Sequence, residues 1–380
     1  MSNKEIVFEI HGTGTHNRGA ELMAIAISDK IKLMYPNSKI IVGSTFGTYK
    51  EINKYGFYTS SRIESRQRKP LLTLLTSFLN KRIINPKNVN VIFDASGFAF
   101  SDQWGVNPGK RLLGKLNEGY RDSQLFIMLP QALGSFNDKA VYDLVKRLFQ
   151  RAEMVFARDN QSFNYANKVV DKSANLIKKA PDFTIAISPQ EDNAVKLPEK
   201  FVAIVPNIRM LDKSDSPEKY LNFLATSILH IKKNNLTPLF VIHDAQEDCK
   251  VVSALGEIAN NIGVVQHENP KVLKYILGKA EFVIGSRFHA LVSSMSQGVP
   301  CIGAGWSHKY PELFQDFSNR DGLIDDLGDI NSLELQIEKF ADETFRDKRK
   351  QEISQAALRL KNEIEEMWIS IGQKINQVVN

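Results

Sequence analysis

Short apolar runs recur along the chain, each broken by polar or glycine-rich residues and followed by apolar positions at helical spacing. In the first half this pattern predicts strands over Glu5–Ile10, SKIIVGS, NVIFDASG, LFIMLPQALGSF and MVFARD. Between them it predicts helices over Gly19–Met34, closed by Pro36, over Leu71–Ile83 and over Lys139–Gln150. Periodicity fades through Pro181–Lys200, a stretch rich in proline and charge, which marks the domain junction. The alternation then restarts, with strands FVAIVPN, TPLFVIHD, VVQHE, FVIGS and VPCIGAG and helices Lys219–Lys233, Cys249–Asn261 and Lys271–Ala280 among them. From Leu333 to Val379 the chain reads as helical.

Strand-loop-helix repetition of this kind predicts parallel sheets and a doubly wound α/β class. The expected architecture is two Rossmann-like domains facing across a cleft lined by the carboxyl ends of both sheets. They would comprise residues 1–185 and 186–330, with C-terminal helices over 331–380 packing across both.

A length of 380 residues suits two domains better than one core. Apolar content of 43% and charged content of 24% belong to a globular protein rather than a disordered one. A net charge of +6 fits an anionic small molecule or a membrane surface and falls short of a nucleic-acid footprint. Cys249 and Cys301 make no zinc or redox spacing, which predicts a reduced, cytoplasmic protein. Met1 leads almost directly into the first strand, leaving no room for a signal peptide, and no apolar run approaches the ~20 residues of a membrane span.

Candidate chemistry gathers where strands end, the edge at which open α/β sheets hold ligands. In GSRFHAL, Ser286 is placed to cap a helix whose apolar face is Phe288, Leu291, Val292 and Met295. Arg287 and His289 then fall at the helix start, where the dipole disfavours a cation. A bound anion would relieve that, and so would a salt bridge from Arg287 with His289 as a packed core residue; spacing does not choose between them. The next strand ends in GWSHKY, so adjacent strands deliver His308 and Lys309 to the same edge, which suits a multiply charged, phosphorylated ligand. Trp306 and Tyr310 read as packing residues.

Other strand ends carry weaker signals. Arg158 beside Asp159 reads as a surface ion pair. Asn207 and Arg209 follow FVAIV, and His243 with Asp244, Glu247 and Asp248 follows PLFVI as a polar cleft wall rather than a metal site. In HGTGTHNRGAE the glycines fit neither a dinucleotide fingerprint nor a Walker loop, but Asn17 and Arg18 open a helix. DASGFAFSDQWG brings Asp94, Ser96 and Asp102 together with aromatic residues, a mixture that suits sugars and equally an internally capped loop.

The segments HNRGAELM, DASGFAFSDQWG, LPQALGSF, ARDNQSF, PDF, VPNIRM, VIHD, GSRFHAL and QGVPCIGAGWSHKY, in that order, resemble the polysaccharide pyruvyl transferases across nearly the full chain. The resemblance implies a GT-B-like architecture and transfer of pyruvate from phosphoenolpyruvate onto two sugar hydroxyls, forming a cyclic ketal and releasing phosphate. No other cofactor and no metal is implied. The acceptor would be a residue of a surface polysaccharide or its lipid-linked precursor. By resemblance Arg287 and His289 face phosphoenolpyruvate, with His289 the candidate acid. Lys309 and His308, and by extension Arg158 and Arg209, would contact its phosphate or carboxylate. Asn17, Arg18, Asp94, Ser96, Asp102 and His243 would line the acceptor side or the cleft. Two rival expectations are a GT-B glycosyltransferase using a nucleotide sugar and a non-catalytic saccharide-binding protein of the same fold.

The helix expected over Leu71–Ile83 is flanked by Arg66, Arg68, Lys69, Lys81 and Arg82. A core helix with a solvated basic rim is the favoured reading. Docking at the inner face of an anionic membrane, near a lipid-linked acceptor, is the other.

Overall fold

In the computed structural model, residues 5–43, 45–60, 82–117, 124–170, 176–212 and 216–379 are described. The helix expected over Leu71–Ile83, and with it the membrane-docking reading, lies largely outside them. The chain divides into two compact units, one of Met1–His16, Ala20–Phe183 and Glu363–Asn380, the other of Asn17–Gly19 and Thr184–Asn362. The expected boundary was 185/186. The expected C-terminal block 331–380 is itself split at residue 362.

The first unit is built on a fully parallel sheet. Its strands are β1 (Val7–His11), β2 (Lys39–Val42), β3 (Tyr58–Ser60), β4 (Ile83–Ile84), β5 (Val91–Asp94), β6 (Leu125–Gln131), β7 (Met154–Ala157) and β8 (Ile177–Lys179). They lie in the order β4-β3-β2-β1-β5-β6-β7-β8, so the strand order reverses between β1 and β5. Strands such as VFEIH and LFIMLPQ are buried along their whole length, as a sheet covered by helices on both faces requires. One face carries Val7, Ile92, Phe126 and Met128 against the apolar sides of helices Asn107–Asn117 and Lys139–Arg151. The last helix, Glu343–Val379, contributes its end to this unit: the Trp368 ring meets Phe93 at 6.0 Å and Phe183 at 6.5 Å, edge-on.

The second unit repeats the design with β9 (Phe201–Val205), β10 (Thr237–Ile242), β11 (Gly263–Gln266), β12 (Val283–Gly285) and β13 (Cys301–Gly303). Their order is β11-β10-β9-β12-β13, again all parallel, with the reversal between β9 and β12. Val202, Ile204, Phe240, Ile242 and Ile284 share one core cluster with the helix Pro217–Lys233. Because side chains alternate along a strand, Val205, Val241 and Gly285 belong to the opposite face. Among the described residues no helix is long and apolar enough to cross a membrane.

Candidate functional site

Ligands of open α/β sheets bind beyond the carboxyl ends of the strands, where strand order reverses. In the second unit that point lies between β9 and β12. After β9, Pro206 ends the pairing and Asn207 turns into a short helix, Arg209–Asp212. The Asn207 side chain braces the point of reversal: its amide donates to the Ser286 carbonyl at 2.8 Å, and its Oδ1 accepts from the Arg209 N–H at 3.1 Å. Tyr310 Oη also donates to the Ser286 carbonyl, at 2.9 Å, so Tyr310 is a buried framework residue.

Ser286 does not cap the helix that follows it. Arg287 is the N-cap of Phe288–Met295 and makes no side-chain cap bond, while Ser286 Oγ shares a 2.5 Å hydrogen bond with Tyr220 Oη. The hydroxyl is drawn to a buried partner from the facing helix, and tertiary packing overrides the local capping preference.

Arg287 takes the salt-bridge alternative. Its Nε donates to Asp248 Oδ2 at 2.9 Å, its Nη2 donates to Asp248 Oδ1, and Asp244 Oδ2 lies 3.8 Å away. Asp248 is fully buried and also accepts the backbone N–H groups of Ile208 and Asp244, both at 3.1 Å. A buried carboxylate with four donors holds the guanidinium in one plane. Of the two alternatives that spacing left open, the structure shows the salt bridge, with the cation balanced from within the protein. Sequence reasoning missed Asp248 as its partner, although the acids Asp244 and Asp248, spaced to share one side of a helical turn, were visible.

His289 follows in the first turn of the same helix, half-buried, with its ring edge-on to Phe288 at 5.5 Å. Lys309 opens the helix Lys309–Asp316, and its ammonium lies over Trp306 at 4.6 Å, Tyr310 at 5.3 Å and Phe288 at 5.4 Å. Phe288 thus joins the two sequence motifs, as the register Gly285↔Gly303 between β12 and β13 requires. His308 is the N-cap of that second helix. Arg209 points into solvent and pairs with Asp212 at 2.9 Å. His243 directly follows β10 and is buried, and burial above all, aided by the charges of Arg287 and His289, lowers its imidazole to about 3. Among the described residues no three His, Cys, Asp or Glu side chains are grouped to hold a metal ion. Asn17 folds back on its own loop, its Oδ1 accepting the Gly19 N–H at 2.8 Å, and Arg18 begins the first helix.

The first unit has its own polar edge at the β1/β5 reversal. His11 pairs in register with Asp94, and both are buried. Asp94 accepts from Ser96 Oγ at 2.7 Å and Gln131 Nε2 at 3.0 Å, while burial raises its carboxyl above the usual range. Burial, with the charge of Lys115 adding to it, lowers His11 to about 3, and its Nε2 lies 3.4 Å from Glu9 Oε1. Gly12 follows β1 with φ +79°, and a Cβ there would collide with Ser96.

Two predicted residues of the first unit have structural roles. Asp102 accepts from Ser135 Oγ and the Asn137 N–H, each at 2.8 Å, and from the Asp138 N–H at 3.0 Å, so it ties down a turn. Arg158 is buried, not on the surface, and pairs with buried Asp182 at 3.0 Å. A cavity of about 370 Å³ lined by Asp192, Phe201 and Tyr275 opens at the start of β9, the opposite edge of the second sheet, and holds none of the predicted residues.

Two Rossmann-like parallel sheets make a fold of the GT-B-like class. Solved structures agree. The S. aureus MnaA–UDP structure has a TM-score of 0.62 at 11% identity, covering 99% of this chain and 98% of that one. The pneumococcal O-GlcNAc transferase GtfA, in complex with UDP and GlcNAc, scores 0.60 at 9% identity over 100% of both chains. A Rickettsia africae glycosyltransferase scores 0.58 at 13% identity over 98% and 99%. At such identities the likeness shows the fold alone. No curated protein matches the chain by sequence. Within that class the chain belongs to the polysaccharide pyruvyl transferase family, whose model matches residues 17–308, from Asn17 to His308.

Proposed function

We propose that the chain transfers pyruvate from phosphoenolpyruvate to a saccharide, as a ketal bridging two hydroxyls, with release of phosphate. The acceptor would be a surface polysaccharide residue or its lipid-linked precursor, met on the cytoplasmic side of a membrane. The observation that supports this reading is that the Lys309 ammonium lies over Phe288, the residue between Arg287 and His289, where two paired strands end, within a chain of this family.

Atoms balance as follows. A proton adds to the methylene carbon, leaving an oxocarbenium-like centre at the neighbouring carbon. One sugar hydroxyl attacks that centre, the second displaces phosphate, and the two hydroxyl protons replace the one given to the methyl group and the one taken by phosphate. Histidine is the side chain suited to such a proton transfer near neutral pH, which gives His289 the role of acid.

The side-on grip of Asp248 uses the Nε and Nη2 edge of Arg287, so the Nη1 edge would meet the substrate carboxylate or phosphate in a fixed orientation. Lys309 would supply a compact positive charge to the phosphate, with His308 beside it. The exposed pair Arg209–Asp212 is weak enough to be exchanged for a ligand. On the acceptor side, buried Asp94 with Ser96 would accept hydrogen bonds from sugar hydroxyls.

The test is incubation with phosphoenolpyruvate and candidate lipid-linked glycans. Phosphate release dependent on the glycan, with a product heavier by one pyruvate less one water, is expected. Transfer from a nucleotide sugar with phosphoenolpyruvate left intact would establish the glycosyltransferase reading instead. Saccharide binding with no turnover of either donor would establish the non-catalytic one.

A further inference from the structure

His243 is only 7% exposed, yet its Nε2 is buried and has no hydrogen-bond partner among the described residues. Buried polar side-chain atoms are satisfied in the large majority of cases, so an open one calls for a cause. The register supplies its surroundings. Phe240 pairs with Ile204, and Gly285 pairs with Val205. Continued past the strand ends, the two ladders set His243, Asn207 and Arg287 level across β10, β9 and β12. Alternation places all three on the sheet face opposite the cluster of Ile204, Phe240 and Ile284. Two strand spacings, roughly 10 Å, separate the backbones of His243 and Arg287.

The groups in between are committed elsewhere. The Asn207 amide is spent on Ser286 and Arg209, and the Asp248 carboxylate on Arg287, Ile208 and Asp244. What remains at this level is the His243 Nε2, near enough to the fixed Arg287 guanidinium for its charge to act on the imidazole.

We infer that His243 is a binding residue of the donor site, its Nε2 making a hydrogen bond to an anionic oxygen of bound phosphoenolpyruvate. The inference rests on the function proposed above and deepens it, because the sequence places His243 only as a polar cleft wall. An imidazole lowered to about 3 is uncharged under working conditions, so it offers an N–H without adding a positive charge. It therefore does not compete with His289 for the role of acid.

The test compares His243→Gln, His243→Asn and His243→Ala. The Gln amide nitrogen reaches the place of Nε2, whereas that of Asn reaches only the place of Nδ1. The Asn and Ala variants should raise the KM for phosphoenolpyruvate about 10- to 100-fold with kcat little changed, and Gln should restore most of the loss. Calorimetric binding of phosphoenolpyruvate should fall in parallel, and the His243 ring ¹⁵N signal of the wild-type protein should move when phosphoenolpyruvate is added. That signal decides the matter even if the Ala variant fails to fold.

Wild-type binding in all three variants, a loss confined to the acceptor KM, or an unmoved ¹⁵N signal overturns the inference while leaving the proposed function standing. A wild-type protein that neither binds nor consumes phosphoenolpyruvate removes both.

Discussion

Arg287 and Asp248 hold each other side-on, Nε to Oδ2 at 2.9 Å with Nη2 on Oδ1, and the carboxylate has no exposed surface. Removing one member of a buried pair strands the other, at about 3–5 kcal/mol. Asp248→Ala should lose that much in urea unfolding. The double variant Asp248→Ala with Arg287→Met should lose at least about 1 kcal/mol less than the sum of the singles. Strict additivity would show that the two are not coupled.

His289→Ala should keep the fold and phosphoenolpyruvate binding while turnover falls by about 10²-fold or more, the usual worth of a positioned acid. Phosphate release and far-ultraviolet circular dichroism read the two effects separately. Near-wild-type turnover would take His289 out of the mechanism.

Acid stability carries the mark of two buried imidazoles. His11 and His243 are each lowered from 6.5 to about 3, so between those values the unfolded chain binds more protons than the native one. Stability therefore rises with pH across that window and falls as pH drops below 6.5, by about 1.4 kcal/mol per pH unit for each histidine. Urea unfolding between pH 4 and 6 should show a shallower dependence in His243→Gln, shallower by about that amount. An unchanged slope would mean that His243 already protonates in the native state.

Asp102 and Asp94 should separate cleanly. Asp102→Ala removes three hydrogen bonds from one turn and should cost about 1–3 kcal/mol of stability with the KM for the saccharide unchanged. Asp94→Asn should instead raise the saccharide KM. If the effects are reversed, the acceptor side has been assigned to the wrong carboxylate.

The alternation of apolar runs made the two parallel sheets legible, because a strand covered on both faces has few ways to read other than Val7–His11 or Phe201–Val205 do. The edge that carries Arg287 and Lys309 was legible for a related reason: β12 and β13 are joined by one short helix, the connection that most often sets parallel strands side by side, and they do pair. What sequence could not show was pairing over distance. Asp248 lies 39 residues before Arg287, and nothing local ties a carboxylate at a helix start to a guanidinium at a strand end. Ser286 looked like a cap because its partner Tyr220 sits 66 residues away. Arg158 looked superficial for want of Asp182, 24 residues on, and the turn that Asp102 ties down was out of sight because it lies in another loop.

The helix Glu343–Val379 carries Trp368 onto Phe93 and Phe183, yet its earlier turns belong to the other unit. The first sheet cannot complete its core during synthesis until residues beyond 363 have been made, long after its own last strand has left the ribosome. A fragment cut at residue 183 would leave those two phenylalanines without the Trp368 ring, so an autonomous version of the first unit requires the segment after 363 to be grafted back, as a circular permutation would do.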